Sequence, residues 1–396
     1  MKRSVTLRRS AGFSLVELMV AVVIGLLALM FATRLVVTGE QTKDAAVGGS
    51  DSMQNGMLAL YSLNNDAAEA GWGLNDTLVA GCNASFTDTN GFALAQAQSG
   101  GVNITPLAAV VINSNGASPD QISFYTGSSQ TGVGSLKNNA DVAIGDTVIT
   151  TTAAQFQYGF NQNDVLVIAP EPAPPANGAC VVVQNVNLNG TLLNIGAGAN
   201  YRFNPPGGMP MAFKSGTARI FNLGDPTRLA FHTWSLNNGV LLLRSTDLAG
   251  SSANPISVTD NIVSIKAQYG FDTRVVAGTY NPAPDGNGMQ VTQWSGTMID
   301  ADGNGIVGGA GDYQRIAAVR LAVVARSKSA EKPNLSGQCT ATTTQPVVFS
   351  SQAPATVAAA PVTVNVAVAG DTTDWKCYRY RVFETIVQIR NAQWRP

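Results

Sequence analysis

The chain has 396 residues with 24 Lys and Arg against 25 Asp and Glu, and a formal charge of −1 gives no electrostatic case for a nucleic-acid partner. Only 12% of residues are charged, while glycine numbers 40, a balance that excludes charge-driven disorder and points to a β-rich secreted surface. A single histidine, His232, removes HExxH zinc sites and His-rich metal clusters and leaves one imidazole for any nucleophile.

Residues 1–12, MKRSVTLRRSAG, carry four basic side chains and no acid. The stretch Phe13 to Thr33 is then apolar, with Glu17 as its one charge. As a helix it reaches about 31 Å, enough to cross a hydrocarbon core, and the basic leader keeps the N-terminus cytoplasmic. The body is therefore expected in the periplasm or beyond. An ordinary export signal is cut after its apolar run, whereas here the small-residue cut site, Gly12-Phe13, precedes it, so cleavage leaves the helix attached. A carboxylate within a membrane span costs about 3 kcal/mol and needs a partner. Cleavage at Gly12 creates one, the Phe13 amine, which a neighbouring subunit offset along the helix axis could present to Glu17.

The run GFSLVELMVAVVI resembles the class III signal of type IV prepilins, with Gly12 before the cut, Phe13 after it and Glu17 at the fifth mature position. The resemblance implies cleavage after Gly12 by a prepilin peptidase, methylation of the Phe13 amine, and a role for Glu17 in docking into a growing filament. The bland reading of the same residues is a plain membrane anchor.

From residue 39 to about 70 the pattern predicts an amphipathic continuation of the helix, with Met53, Met57, Leu60 and Tyr61 forming one stripe packed on the body. Each of Gly39, Gly48, Gly49 and Gly56 costs a helix roughly 1 kcal/mol relative to Ala, so a kink, melt or loop is expected around Gly48-Gly49.

Residues 71–396 change to β-branched runs separated by Gly, Asn, Pro and Asp clusters, and the predicted class is α+β: a long N-terminal helix on a mainly antiparallel β-rich domain. A second sheet is expected from about 105 to 245. Three late segments alternate clearly: Val263 to Phe271 against Ser264, Lys266 and Gln268; Val319 to Val323 against Arg320; Phe383, Val387 and Ile389 against Glu384, Gln388 and Arg390. Each reads as a half-buried strand with one wet face. Segments 171–178 and 341–370 read as exposed loops.

Four blocks, NNDAAEAGWG (64–73), NIVSIKAQYGFDT (261–273), DYQRIAAVRLAVVARS (312–327) and YRVFETIVQIRN (380–391), resemble the PilW type of minor pilin. That resemblance implies a non-enzymatic role in pilus assembly, in a minor-pilin initiation or tip complex. Other minor and major pilins, the prepilin peptidase and the inner-membrane assembly machinery are the implied partners. The location would be the inner membrane, single-pass with a periplasmic body, and then the pilus surface. A minor pseudopilin of type II secretion shares the N-terminus and a helix-plus-sheet body, and a ligand-binding tip adhesin is the alternative from another class. Removal of 1–12 would leave 20 basic against 25 acidic residues, which argues against a broad DNA-binding face.

Four cysteines, Cys82, Cys180, Cys339 and Cys377, lack CxxC spacing and suit disulfides in an oxidising compartment. Of the three connectivities, chain proximity favours Cys82–Cys180 and Cys339–Cys377. In DADGNGIVGGAGD, Asp300, Asp302 and Asn304 precede Gly305 as in a calcium loop, with the Ile306 carbonyl as fourth ligand and Asp312 as late carboxylate; position twelve is Gly311 rather than Glu. The other reading is a polar Asp/Gly turn, as for Asp285-Gly286-Asn287-Gly288. His232, beside Trp234, reads as a packed or surface side chain rather than a catalyst. Tyr201, Phe203, Trp234, Trp294, Trp375 and Trp394 suit either a core or an adhesive patch, and Arg379 and Arg381 either an interface or the guarding of a strand edge.

Overall fold

The computed structural model describes Gly12 and residues 14–129, 134–154, 158–171, 178–196, 201–274, 288–334 and 336–393. Phe13, Trp394, most of the 171–178 loop and the turn at 285–287 lie outside these residues. Helix α1 (Leu15–Glu69) is a single 55-residue element, about 80 Å long at 1.5 Å per residue. No proline interrupts it, and it ends where Gly71 adopts φ 86°, a left-handed conformation that only glycine takes cheaply. The Gly71 N–H then donates to the Tyr125 carbonyl at 2.8 Å, fastening the helix end to the body.

The body holds three larger sheets. A six-stranded sheet runs in the order Pro106–Leu107, Cys82–Ser85, Ala179–Gln184, Val165–Pro170, Ala218–Gly224 and Ser135–Lys137, with one parallel pair, Cys82–Ser85 beside Ala179–Gln184. A five-stranded antiparallel sheet follows Ile256–Asp260, Val240–Ser245, Ala230–Asn237, Ser118–Thr126 and Val110–Asn115. The region expected to form one second sheet thus supplies strands to three: these two and a small sheet of Asn187–Asn189, Leu192–Asn194 and Val148–Thr150. The third sheet, Gln293–Ser295, Ile262–Phe271, Ile316–Arg326 and Tyr380–Gln388, is antiparallel and lies under α1. Two further helices of four residues each, α2 (Ala310–Tyr313) and α3 (Arg390–Gln393), flank the third sheet.

The two disulfides are Cys82–Cys180 and Cys339–Cys377, as chain proximity favoured. In the loop-entropy account each stabilises the fold by roughly 4 to 5 kcal/mol.

Three expectations about packing are corrected. First, the helix runs unbroken through Gly48 and Gly49. The helix glycines are sites of close approach: a Cβ on Gly48 would lie 3.3 Å from the Ser327 Cβ, and one on Gly56 would collide with the Phe383 ring. Second, the face of α1 that enters the core is Ser52, Gly56, Ala59, Leu63, Ala67 and Ala70. Met53, Met57 and Tyr61 are 45%, 53% and 65% exposed, and of the predicted stripe only Leu60 packs against the core. Small residues let the sheet approach the helix axis, so the large apolar side chains are the ones turned out.

Third, the strands Ile262–Phe271 and Ile316–Arg326 have almost no wet face, since every residue but Arg326 is buried. The 341–370 segment, expected as an exposed loop, lies over their second face and buries Val348, Phe349, Val357, Val364 and Val366. The polar residues there bind this cover instead of water. Gln268 Nε2 donates to the Ala360 carbonyl at 2.7 Å, Arg320 donates to the Ser351 carbonyl at 2.9 Å, and the Phe349 N–H donates to Glu384 Oε1 at 2.7 Å. Arg320 also lies between the Trp294 and Phe349 rings, at 5.0 and 5.1 Å. Lys266 is buried in an ion pair with Asp120 and donates to the Gly116 carbonyl at 2.8 Å. Tyr380–Gln388, the outermost strand, does keep an exposed face.

Candidate functional site

The first half of α1 is the most unusual surface of the molecule. Leu15–Val37 is 23 residues long, strongly apolar, and none of it is buried inside the protein. Glu17 sits in the first turn of α1, where the aligned N–H dipoles favour a negative charge. Gly12 is exposed ahead of it.

The second half of α1 is pinned to the body by a clamp absent from the sequence reading. His232 Nδ1 lies 2.7 Å from Asp66 Oδ2 on α1, and its Nε2 lies 2.9 Å from Asp247 Oδ1. Trp234 Nε1 donates to the same Asp66 oxygen at 2.6 Å. Strand alternation places His232 and Trp234 in one row facing the helix, and Asp66 arrives one turn before the helix ends. Burial of His232 opposes its charged form, but the hydrogen bonds to Asp247 and Asp66 outweigh it and lift the imidazole to about 10. Burial likewise opposes ionisation of Asp247, and the His232 and Ser245 hydrogen bonds reverse that and lower its pKa. His232 is therefore a fixed cation between two acids, and no Ser or Cys nucleophile is among its hydrogen-bond partners. The signal that could have found it is a lone histidine in an alternating strand with acids at 66 and 247.

Further pins run along α1. Asn55 Nδ2 donates to Asp260 Oδ1 at 2.8 Å, and Asn391 Nδ2 donates to the Glu69 and Ala70 carbonyls at 2.9 and 3.1 Å.

In the acidic loop, Asp300, Asp302 and Asp312 come together, with carboxylate oxygens within 4.8 Å of one another. Asp312 is buried and accepts N–H bonds from Ala301, Asp302, Gly308 and Gly309. Burial pushes Asp312 up to about 6 despite these bonds, and burial with the neighbouring Asp300 carboxylate raises Asp302. Asn304 Oδ1 accepts from the Ile306 N–H, and the Ile306 carbonyl accepts from the Gly309 N–H, so those two residues spend these oxygens on the turn. The three carboxylates are oxygen donors of the kind a hard divalent cation takes.

Of the aromatics weighed for an adhesive patch, Phe203, Trp234 and Trp294 are buried, Tyr201 and Trp375 are partly buried, and Trp394 lies outside the described residues. Arg379 is paired with Glu331. The Arg381 guanidinium lies over Gly49 of α1, 3.6 Å from where a Cβ would stand.

Residues 233–391 match the family described as type IV pilus-assembly protein W, and residues 7–33 match the prokaryotic N-terminal methylation motif. Together the two matches support a type IV pilus minor pilin involved in pilus assembly. The first match covers the clamp strand from Thr233 onward and the whole sheet under α1; the second covers Gly12, Phe13, Glu17 and most of the apolar stretch Leu15–Val37. No curated protein and no solved structure matches the pilin. The matched family is a component of pilus assembly, which points to other pilins and the assembly machinery as the class of partner.

Proposed function

We propose that this minor pilin is cut between Gly12 and Phe13 by a prepilin peptidase, methylated at the Phe13 amine, and held in the bacterial inner membrane with its body in the periplasm. It then joins other minor pilins in a complex that primes or tips the filament. The observation that carries the proposal is the unburied apolar shaft Leu15–Val37, continuous in one helix with a segment packed in the core of the body. Such a surface needs lipid before assembly and sister helices after it. Glu17 sets the axial register by meeting the Phe13 amine of a neighbour, because an unpaired carboxylate in that apolar environment is heavily penalised.

The match to a pilus-assembly family favours the pilus over type II secretion, and the burial of Phe203, Trp234 and Trp294 favours scaffolding over adhesion. The test is the intact mass and N-terminal sequence of the protein from its native membrane, beside a strain lacking prepilin peptidase. A methylated Phe13 start that depends on the peptidase is expected, with Glu17→Ala inserting normally while incorporation into pili falls. An uncut Met1 start in both strains would discard the reading.

A further inference from the structure

The last strand, Tyr380–Gln388, ends its sheet, and no strand pairs with its outer edge among the described residues. Its register against Ile316–Arg326 is regular from Ala318↔Gln388 to Arg326↔Tyr380, with no bulge. The Ile389 N–H donates to the Ala317 carbonyl at 3.0 Å and the Ser327 N–H to the Arg379 carbonyl at 2.8 Å, which fixes the phase of the ladder. In an antiparallel pair the bonded residues alternate, so Arg381, Phe383, Thr385 and Val387 point their N–H and C=O groups inward. Val382, Glu384, Ile386 and Gln388 point theirs outward.

Protein edges are ordinarily guarded by Pro, by charged side chains and Lys above all, by a bulge or by a cover, and here the Arg381 guanidinium is turned to Gly49 of α1. This one has nine residues, no Pro, no Lys and no bulge, and its outward positions include Val382 and Ile386, 39% and 43% exposed. Glu384, the one acid among them, is held by the Phe349 N–H.

The other half of the surface comes from α1. Asn55 and Asp66 bind the five-stranded sheet on one flank of the helix, and Gly56 meets Phe383 of the closing strand. At 100° per residue, Met53 and Met57 fall about 60° and 100° beyond Gly56, on the side of the free edge, while Tyr61 is turned away from the sheet. A strand added there would have apolar neighbours on both faces, Val382 and Ile386 on one and Met53 and Met57 of α1 on the other.

We infer that this edge is a docking site for a β-strand of another pilin subunit standing beside this one in the same membrane, a strand apolar on both faces. The inference rests on the pilin reading above. Two observations select the occupant. The Met53 and Met57 pair is carried on the same helix as the Leu15–Val37 shaft, so one neighbour can cover both. The strand also runs parallel to α1, as Arg381 lies over Gly49, Phe383 over Gly56 and Asn391 at Glu69. Antiparallel pairing of two copies of this strand would send their shafts in opposite directions, which one membrane forbids. The energy would come from main-chain hydrogen bonds, and the specificity from alternate side chains.

The test uses the full chain in cells lacking the native copy. A photoreactive benzoylphenylalanine is placed at Ile386, at Met57 and, as control, at the exposed Leu248, and adducts are identified by mass spectrometry. Adducts of Ile386 and Met57, but not Leu248, with another subunit bearing a methylated N-terminus are expected. Ile386→Pro removes only an outward N–H, as a proline on an edge strand can. It is expected to abolish the Met57 adduct and lower surface pili at least tenfold with protein level within twofold of the wild type, and Ile386→Lys, which keeps the backbone N–H, should act in the same direction. Absence of adducts at both positions in piliated cells, an adduct with a second copy of this chain, or normal piliation by both variants would overturn the proposal while leaving the pilin reading in place. Normal piliation after deletion of the whole gene would sink that reading and this inference with it.

Discussion

Replacing His232 by Ala takes the cation out from between Asp66 and Asp247 and leaves two partly buried carboxylates facing each other across the helix–body junction. Breaking a buried pair by removing one partner costs about 3 to 5 kcal/mol. The His232 side chain is 14% exposed and Asp247 27%, and this solvent contact puts the loss near the lower figure, about 3 kcal/mol. For a protein of this size that lowers Tm by roughly 4 °C. The pH dependence is the sharper test. The folded His232 pKa, about 10, lies above the unfolded value of 6.5, so its contribution is complete below pH 6.5 and drains away as pH rises toward 10. The slope is about 1.4 kcal/mol per pH unit for one proton. The lowered Asp247 pKa works from the other side: its contribution is present above the ordinary carboxylate range and is lost as pH falls through the lowered value. Thermal unfolding of the full chain in detergent micelles, followed by near-UV circular dichroism at pH 5 to 9, should show a wild-type decline above pH 6.5 that His232→Ala lacks. A loss below about 1 kcal/mol, or identical slopes for the two proteins between pH 7 and 9, would refute the clamp.

Gly56→Val should destabilise the body by roughly 1 to 3 kcal/mol despite the gain in helix propensity, because its Cβ meets the Phe383 ring; Gly39→Ala, with nothing within 4 Å, should not, and thermal melts compare them. Lys266→Ala should cost about 3 to 5 kcal/mol by stranding Asp120, and Lys266→Met combined with Asp120→Leu should recover only part of it, because the Asn115 and Ala267 N–H groups lose their acceptor, as read by denaturant unfolding. Calcium at about 5 mM should raise Tm by an amount equivalent to roughly 1 kcal/mol if the Asp300, Asp302 and Asp312 oxygens bind it with sub-millimolar to millimolar affinity, and Asp302→Asn should abolish the rise. An unchanged Tm would assign the loop to a closed Asp/Gly turn.

The N-terminal shaft and the α+β plan were legible because their signals are local: an apolar run too long for a core helix, and alternation in late strands. The disulfides followed from chain proximity. The packing of α1 was misread because hydrophobic patterning assigns large side chains to the core, while here close approach selects Ser52, Gly56, Ala59 and Ala67. The same logic misplaced Lys266, Gln268 and Arg320 on a wet face, since a period of two cannot distinguish a polar residue that meets water from one that meets a buried backbone carbonyl. The cover at 341–370 has short apolar groups without a regular period, so its burial appears only when the sheet beneath it is present. The clamp joins residues 66, 232 and 247, and no local pattern brings them together.

The way α1 enters the body also decides how a force would travel. A filament subunit pulled by its shaft is loaded along the helix axis, and from Gly48 to Ala70 that axis lies flat against a packed sheet whose closing strand runs the same way. The load is therefore shared in shear by the Gly56–Phe383 contact, the Asn55, Asp66 and Asn391 bonds and the buried alanines at once. Contacts that must break together resist more than contacts peeled one by one. A subunit built this way transmits tension to its body before it yields, a mechanical property written into which face of the helix carries the small residues.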